Sequence, residues 1–245
     1  MDEEPLAGGF VNDVVRIDDT VRRPVGERAR FVHALLRWLD QQGWAGAPRI
    51  LGFDERGREI LSFVDGQAAW EPALRAAVSS EVALVRVAGL VRELHDLTAG
   101  TALAGEAEVV CHNDLSPRNT VYRDRGNGWT PVAFIDWDLA APGERIHDLA
   151  HVCWQYLELG PQVTDVTRAA ERLRLICDAY GLVERARLLD TVLWWQDRCW
   201  TGIEAGAEAG EPAMVRLRDS GAAGEVRAAF VWTEANRTRL ETELG

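Results

Sequence analysis

"VVCHNDLSPRNTVY", residues 109–122, is the stretch on which the reading of this chain turns. An apolar, β-branched run ends at Cys111, and His112, Asp114 and Asn119 then follow at relative positions zero, two and seven. Such a segment is either a plain polar loop between strands or a loop whose carboxylate and amide are held in place for chemistry. The sequence downstream favours the second. "PVAFIDWD" (131–138) ends an apolar run on Asp136, and the turn "RGNG" (125–128) stands between the two runs. Pairing of "NTVY" with "PVAFIDW" through that turn brings Asn119 and Asp136 together near one end of a hairpin. Carboxylate and amide oxygens are the hard donors that Mg²⁺ prefers, usually beside substrate phosphates. Asp114 then remains free to accept a proton from an attacking hydroxyl. One Asp that orients a nucleophile, with an Asn and a second Asp on the metal, is the arrangement phosphoryl transfer needs.

Outward from the motif, the chain changes character once. "FVNDVVRIDDTVRR" (10–23) reads as two short β runs around Asp18-Asp19, and Gly8 and Gly9 of the preceding "LAGGF" suit a tight loop. Residues 26–43 carry Phe31, Leu35, Leu36 and Leu39 at helical spacing, with Gly43 placed as a C-cap. "APRILGFDERGREILSFVDG" (47–66) gives two more strands around a turn at Glu55–Gly57. Beyond Gly66 the pattern becomes helical. "EVALVRVAGLVRELHDLT" (81–98) is amphipathic, and so are stretches within 144–160, 166–181 and 186–206. The expected class is α+β. A small β-rich N-terminal lobe (1–64) precedes a larger, mainly helical C-terminal lobe (65–245), with a hinge near Ser62–Gly66.

Composition narrows the partners. With 47% hydrophobic and 27% charged residues over 245 positions, the chain can build a substantial core. No apolar run approaches the roughly 20 residues that span a bilayer. The acidic opening "MDEEPLAGGF" lacks the apolar stretch of a secretory signal, so no membrane partner and a cytoplasmic location are expected. A formal net charge of −12 argues against a nucleic-acid groove and is compatible with a cationic small substrate. Cys111, Cys153, Cys177 and Cys199 are widely spaced, which reads as free thiols. The 27 basic residues are all arginine, so any duty that commonly falls to lysine passes to an arginine here.

"HNDLSPRN" (112–119), "IDWD" (135–138) and "HDLAH" (147–151) together resemble the aminoglycoside phosphotransferase and choline-kinase-like family, whose fold is that of protein kinases. The family loop has the form H-x-D-x-x-x-x-N, followed by a metal-binding Asp in I-D-W/F-[DE]. The likeness extends over nearly the whole chain, because "GREILSFVDG" (57–66) also fits the family's small lobe and hinge. It implies Asp114 as catalytic base, Asn119 and Asp136 as Mg²⁺ ligands, His112 as support of the loop and Asp148 as its brace. Asp138 either aids the metal or caps the next turn. Backbone groups at Ser62 to Val64 are implied to hold the adenine or guanine base of ATP or GTP, and a hydroxylated small molecule to receive the phosphate. "TVRRP" (20–24) stands where the family usually places lysine, or often arginine, on its third strand. Strand alternation puts Val21 and Arg23 on one face and Arg22 on the other, which favours Arg23 for the phosphates over Arg22. The helix position that often carries the partnering Glu holds His33, with Glu27 and Asp40 the nearest acids in sequence.

Rival expectations follow from the same residues. His147 and His151 stand four apart on a helix, but Asp148 occupies the place that H-E-x-x-H gives to glutamate, so core or helix-face histidines are expected in place of zinc ligands. Tryptophans such as Trp194, Trp195, Trp200 and Trp232 either fill the core or line an acceptor pocket. Asp197, Glu204, Glu208 and Glu211 either meet a cationic acceptor or form a solvated face. The alternative to an enzyme is a nucleotide-binding pseudokinase or regulatory module without turnover. The missing lysine and the unassigned acid partner favour that module, and the intact Asp114, Asn119 and Asp136 oppose it.

Overall fold

The first β-hairpin is set by Asp18-Asp19, where Asp18 takes a left-handed φ of 52°. The computed structural model of the chain describes residues 3–6, 14–126, 128–242 and 244. The proposed loop at Gly8-Gly9, with Phe10–Asp13 of the first β run, lies outside them. Two compact units divide the chain, Met1–Asp148 and Leu149–Gly245.

In the first unit, β1 (Glu4–Pro5), β2 (Val15–Ile17), β3 (Thr20–Arg23), β4 (Ile50–Phe53) and β5 (Glu59–Ser62) form one antiparallel sheet in the order β1-β2-β3-β5-β4. Helix α1 (Ala29–Gln41) connects β3 to β4 and buries Val32, Leu35, Leu36 and Leu39 on one stripe, the spacing its sequence carries. It ends where Gly43 takes a φ of 69°, the left-handed position a C-cap favours. The β4–β5 turn is closed by Asp54, whose Oδ1 accepts from the Arg56 and Arg58 N–H groups, each at 2.9 Å.

The second sheet carries the two runs that flank the 125–128 turn. β6 (Gln67–Ala68), β8 (Thr120–Asp124) and β9 (Trp129–Phe134) pair in the order β6-β8-β9, and the register sets Thr120 opposite Phe134. The expected hairpin of "NTVY" with "PVAFIDW" is therefore present. Gly66 leads into β6 with a φ of 136°, and a Cβ there would stand 2.5 Å from the Tyr122 carbonyl oxygen. Only glycine fits that approach. Helices α2 (Pro72–Ala77) and α3 (Glu81–Thr98) follow, α3 with the Ser80 side chain accepting from the Ala83 N–H as N-cap. β7 (Val109–Cys111) pairs antiparallel with β10 (Ala141–Gly143), and a single 3-10 turn, Pro117–Asn119, links the motif loop to β8. β10 is a strand that periodicity passes over, because Pro142 and Gly143 mask it as a turn.

Helix α4 (Arg145–Leu157) runs across the division between units. The second unit continues with α5 (Val166–Tyr180), α6 (Leu188–Glu208), α7 (Pro212–Asp219), α8 (Ala222–Ala235) and α9 (Arg237–Thr242). Its core includes Leu173, Ile176, Leu188, Val192 and Leu240. His151 packs its ring against Trp154 and Trp195, so it is the core histidine expected of the non-zinc reading. Trp195 is buried and Trp194 exposed, and Asp197, Glu208 and Glu211 are solvated. No helix among the described residues is long and apolar enough to cross a membrane.

Candidate active site

β7 delivers the catalytic loop, and Asp148 at the start of α4 fixes it. The Asp148 carboxylate accepts from the His112 N–H at 2.7 Å, the Asn113 N–H at 2.8 Å and His95 Nε2 at 3.1 Å, with no exposure to solvent. Burial alone would raise its pKa, but the bonds from His95 and from the backbone N–H groups hold it below the usual carboxylate range. Asp148 thus braces the loop as expected, and His95 of α3 is a partner that no sequence pattern marked. Asn113 is forced to a φ of 64°, a local strain of the kind that clusters at functional loops. His112 Nε2 donates to the Ile135 carbonyl at 3.1 Å while its Nδ1 accepts from the Asp114 N–H at 3.3 Å, tying the loop to the end of β9.

Asp114 and Asn119 meet directly. Asn119 Nδ2 donates to Asp114 Oδ2 and to the Asp114 carbonyl, both at 2.8 Å. Those two bonds settle which amide atom is which. Asn119 Oδ1 is left with no hydrogen-bond partner among the described residues, an oxygen open to a cation. The Ile135 N–H donates to the Asn119 carbonyl at 2.9 Å, which seats Asp136 beside the loop. Burial, and then the Asp136 charge, push the Asp114 carboxyl up to about 7, against the lowering effect of Asn119. Asp136 takes a φ of 63° and is itself raised by partial desolvation, its side chain being half-exposed, and by Asp138, with Arg23 pulling the other way.

A cation already stands among these acids. Arg23, at the end of β3, places Nη2 2.6 Å from Asp138 Oδ1 and Nη1 3.5 Å from Asp136 Oδ1. Its Nε donates to Glu59 Oε1. Arg22 lies on the other face of β3, and among the described residues its guanidinium reaches the Val21 carbonyl at 3.4 Å. The acid partner that the sequence left unassigned is Glu59 of β5, while Glu27 and Asp40 are exposed. Glu59 is 1% exposed, and its second oxygen accepts from His33 Nε2 of α1 at 2.5 Å. The available signal was cross-strand. Arg23 and Glu59 are register partners on β3 and β5, and an acid leading the apolar strand "EILS" needs a buried cation. Asp138 holds Arg23, so it is neither a plain turn cap nor free.

The donor set fits a divalent ion. Asp136 and Asp138 carry two carboxylates, Asn119 a free amide oxygen, and the guanidinium shows that this place accepts positive charge. The one cluster of His, Cys and acid ligand atoms among the described residues, His95, Cys111 and Asp148, does not fit. Asp148 is spent on backbone donors, and burial raises the Cys111 thiol far from ionisation. Of the nucleotide contacts expected at the hinge, the Ser62 N–H donates to the Arg49 carbonyl at 2.9 Å and the Phe63 N–H to that of Asp19 at 2.8 Å.

A kinase-like carboxylate and amide loop beside a β-sheet that presents a buried arginine defines a phosphoryl-transfer class of protein. The profile of the phosphotransferase enzyme family matches residues 86–189. A trifolitoxin immunity protein of Rhizobium leguminosarum bv. trifolii is 34% identical over an alignment of 209 residues, covering 76% of this chain and 77% of that protein. The chain belongs to the phosphotransferase enzyme family. Its fold is shared with the GDP complex of wild-type aminoglycoside 2'-phosphotransferase-IIIa, at a TM-score of 0.63 and 14% identity over 97% of this chain and 93% of that one. It is shared also with a choline/ethanolamine kinase family protein from Mesorhizobium loti, at 0.60 and 16% over 95% and 92%.

Proposed function

We propose that the protein moves the γ-phosphoryl group of ATP or GTP onto a hydroxyl of a small molecule. Residues 1–64 serve the nucleotide, and residues 65–245 supply the chemistry and the acceptor site. The observation that carries this is the meeting of Asp114, Asn119 and Asp136 beside the Arg23 guanidinium. The acceptor hydroxyl donates its hydrogen bond to the Asp114 carboxylate, which orients the oxygen and takes the proton as the new O–P bond forms. The bond from the β–γ bridging oxygen to phosphorus breaks, and the nucleoside diphosphate leaves. Asn119 Nδ2 keeps the Asp114 carboxylate turned toward that hydroxyl. Asn119 Oδ1 and Asp136 are the residues that would hold Mg²⁺, which when bound neutralises charge on the transferring phosphate. Arg23 clamps the non-transferred phosphates with a planar fork that suits phosphate oxygens. Ser62 N–H is spent inside the sheet, which leaves the Val64 N–H and nearby carbonyls to read the base. Positioning and charge neutralisation supply most of the rate.

For the acceptor, the relative named for trifolitoxin immunity and the neighbour named for aminoglycosides both support a toxic or antibiotic small molecule. The net charge of −12 suits a cationic one. Release of ADP or GDP over a panel of hydroxylated amines, sugars and antibiotics tests the proposal. Asp114→Ala is expected to lower turnover by roughly 10²–10⁴-fold, the usual worth of a positioned base, with nucleotide affinity nearly intact. Unchanged turnover in that variant contradicts the role of Asp114. Nucleotide binding by the wild type without release on any acceptor would favour the non-catalytic module.

A further inference from the structure

Arg23 has one guanidinium and three acids to share it. Nε goes to Glu59, and the two terminal nitrogens go to Asp138 at 2.6 Å and Asp136 at 3.5 Å. The two sets differ in exposure. Asp136 and Asp138 have side chains 51% and 34% exposed, whereas Glu59 is 2% exposed. Both Glu59 oxygens are committed, one to Arg23 and one to His33, so its carboxylate cannot turn. His33 is fixed in turn by edge-on packing against Phe53 of β4, with ring centroids 5.5 Å apart at 64°. The anchor is thus gripped by α1, β4 and β5, and the register of β3 with β5 places Arg23 opposite it.

We propose that Glu59, braced by His33, is a positioning residue that keeps the Arg23 guanidinium from closing fully on Asp136, the carboxylate assigned to the metal. The inference rests on the phosphoryl-transfer reading of that site. With Nε held at Glu59, Nη2 reaches Asp138 at 2.6 Å, whereas Nη1 stays 3.5 Å from Asp136, at the far end of hydrogen-bond range. An unanchored guanidinium settles fully on Asp136 and Asp138, because a buried cation takes whatever carboxylates remain. There it competes with the divalent ion and is lost to the phosphates. Part of the duty that kinases give to an ion pair with a helix glutamate is done here by a strand glutamate, and α1 contributes a histidine.

The test is calorimetric titration of ADP and, in parallel, GDP at stepped Mg²⁺ concentrations, with the Mg²⁺ level at half-maximal nucleotide binding as readout. Glu59→Gln keeps the shape and removes the charge. It is expected to raise that level by about 10- to 100-fold, the usual effect of removing an outer partner of a metal site. His33→Leu should move it in the same direction and His33→Gln, which keeps a donor, much less; His33→Leu carries the test should Glu59→Gln not fold. Adding Arg23→Gln to Glu59→Gln removes the competing cation together with its hold on the phosphates, so nucleotide affinity should fall while the Mg²⁺ level at half-maximal binding moves back toward that of the wild type. A Glu59→Gln or His33→Leu protein that melts lower but has an unmoved Mg²⁺ requirement overturns the proposal and leaves the phosphotransferase reading intact. A wild type that binds neither nucleotide with Mg²⁺ overturns both.

Discussion

Asp114 illustrates how much a single residue gives up for its place. Its ordinary pKa of 3.8 rises to about 7, because burial and the neighbouring Asp136 charge oppose ionisation. A pKa raised in the fold means that the folded chain binds more protons than the unfolded one between those two values. Stability from this group is therefore full below about pH 4 and is lost as the pH climbs through 7. Asp114→Asn, measured without metal in a chelating buffer, should melt higher than the wild type at pH 8, with the advantage fading toward pH 4. The gain is expected at about 1–3 kcal/mol, given about 1.4 kcal/mol per pKa unit and partial screening by solvent. A variant that melts no higher at pH 8 would show that the carboxylate is ionised at no cost. The placement of Asp114 and Asn119 in one bonded loop, with Asp136 just past the paired strand, was legible because their spacing is local to one loop and one hairpin. Glu59 was not, because it stands 36 positions from Arg23 and only the strand register brings the two together.

Among the elements, the turn into β6 is the most exacting. Gly66 has a φ of 136°, and an added Cβ would meet the Tyr122 carbonyl oxygen at 2.5 Å and Val121 Cγ1 at 2.6 Å. Both belong to β8, and its backbone carbonyl is held in the sheet and cannot give way. Gly66→Ala should cost about 2–3 kcal/mol through combined strain and overpacking, read as a lowered melting temperature. Gly43→Ala, with the same sign of φ but open space around it, should cost less. Equal losses would mean that φ alone sets the penalty. Elements with a strong period were readable: α1, α3, α5 and α6 all lie on stretches marked by apolar spacing, and α3 spans Glu81–Thr98 as its sequence suggests. Short elements were less so. β10 hides behind Pro142 and Gly143, and α2 has six residues with none buried, too few to show a face.

At the scale of the molecule, the residues assigned here to base, metal and phosphate all fall within Met1–Asp148, the unit that contains both β-sheets. Leu149–Gly245 is helical and builds its own core. That division explains why phosphoryl transfer was legible and the acceptor was not. The proposed transfer chemistry needs three oxygen donors that lie in a compact motif, whereas acceptor choice rests on surfaces without a local code. The central claim is that those donors hold a metal-bound nucleotide, and calorimetry of ATP and GTP with and without Mg²⁺ tests it most directly. The wild type should bind at least one of the two with strong dependence on Mg²⁺, and Asp136→Ala should lose that dependence; an Asp136→Ala protein that binds the Mg²⁺ nucleotide as the wild type does would contradict the account.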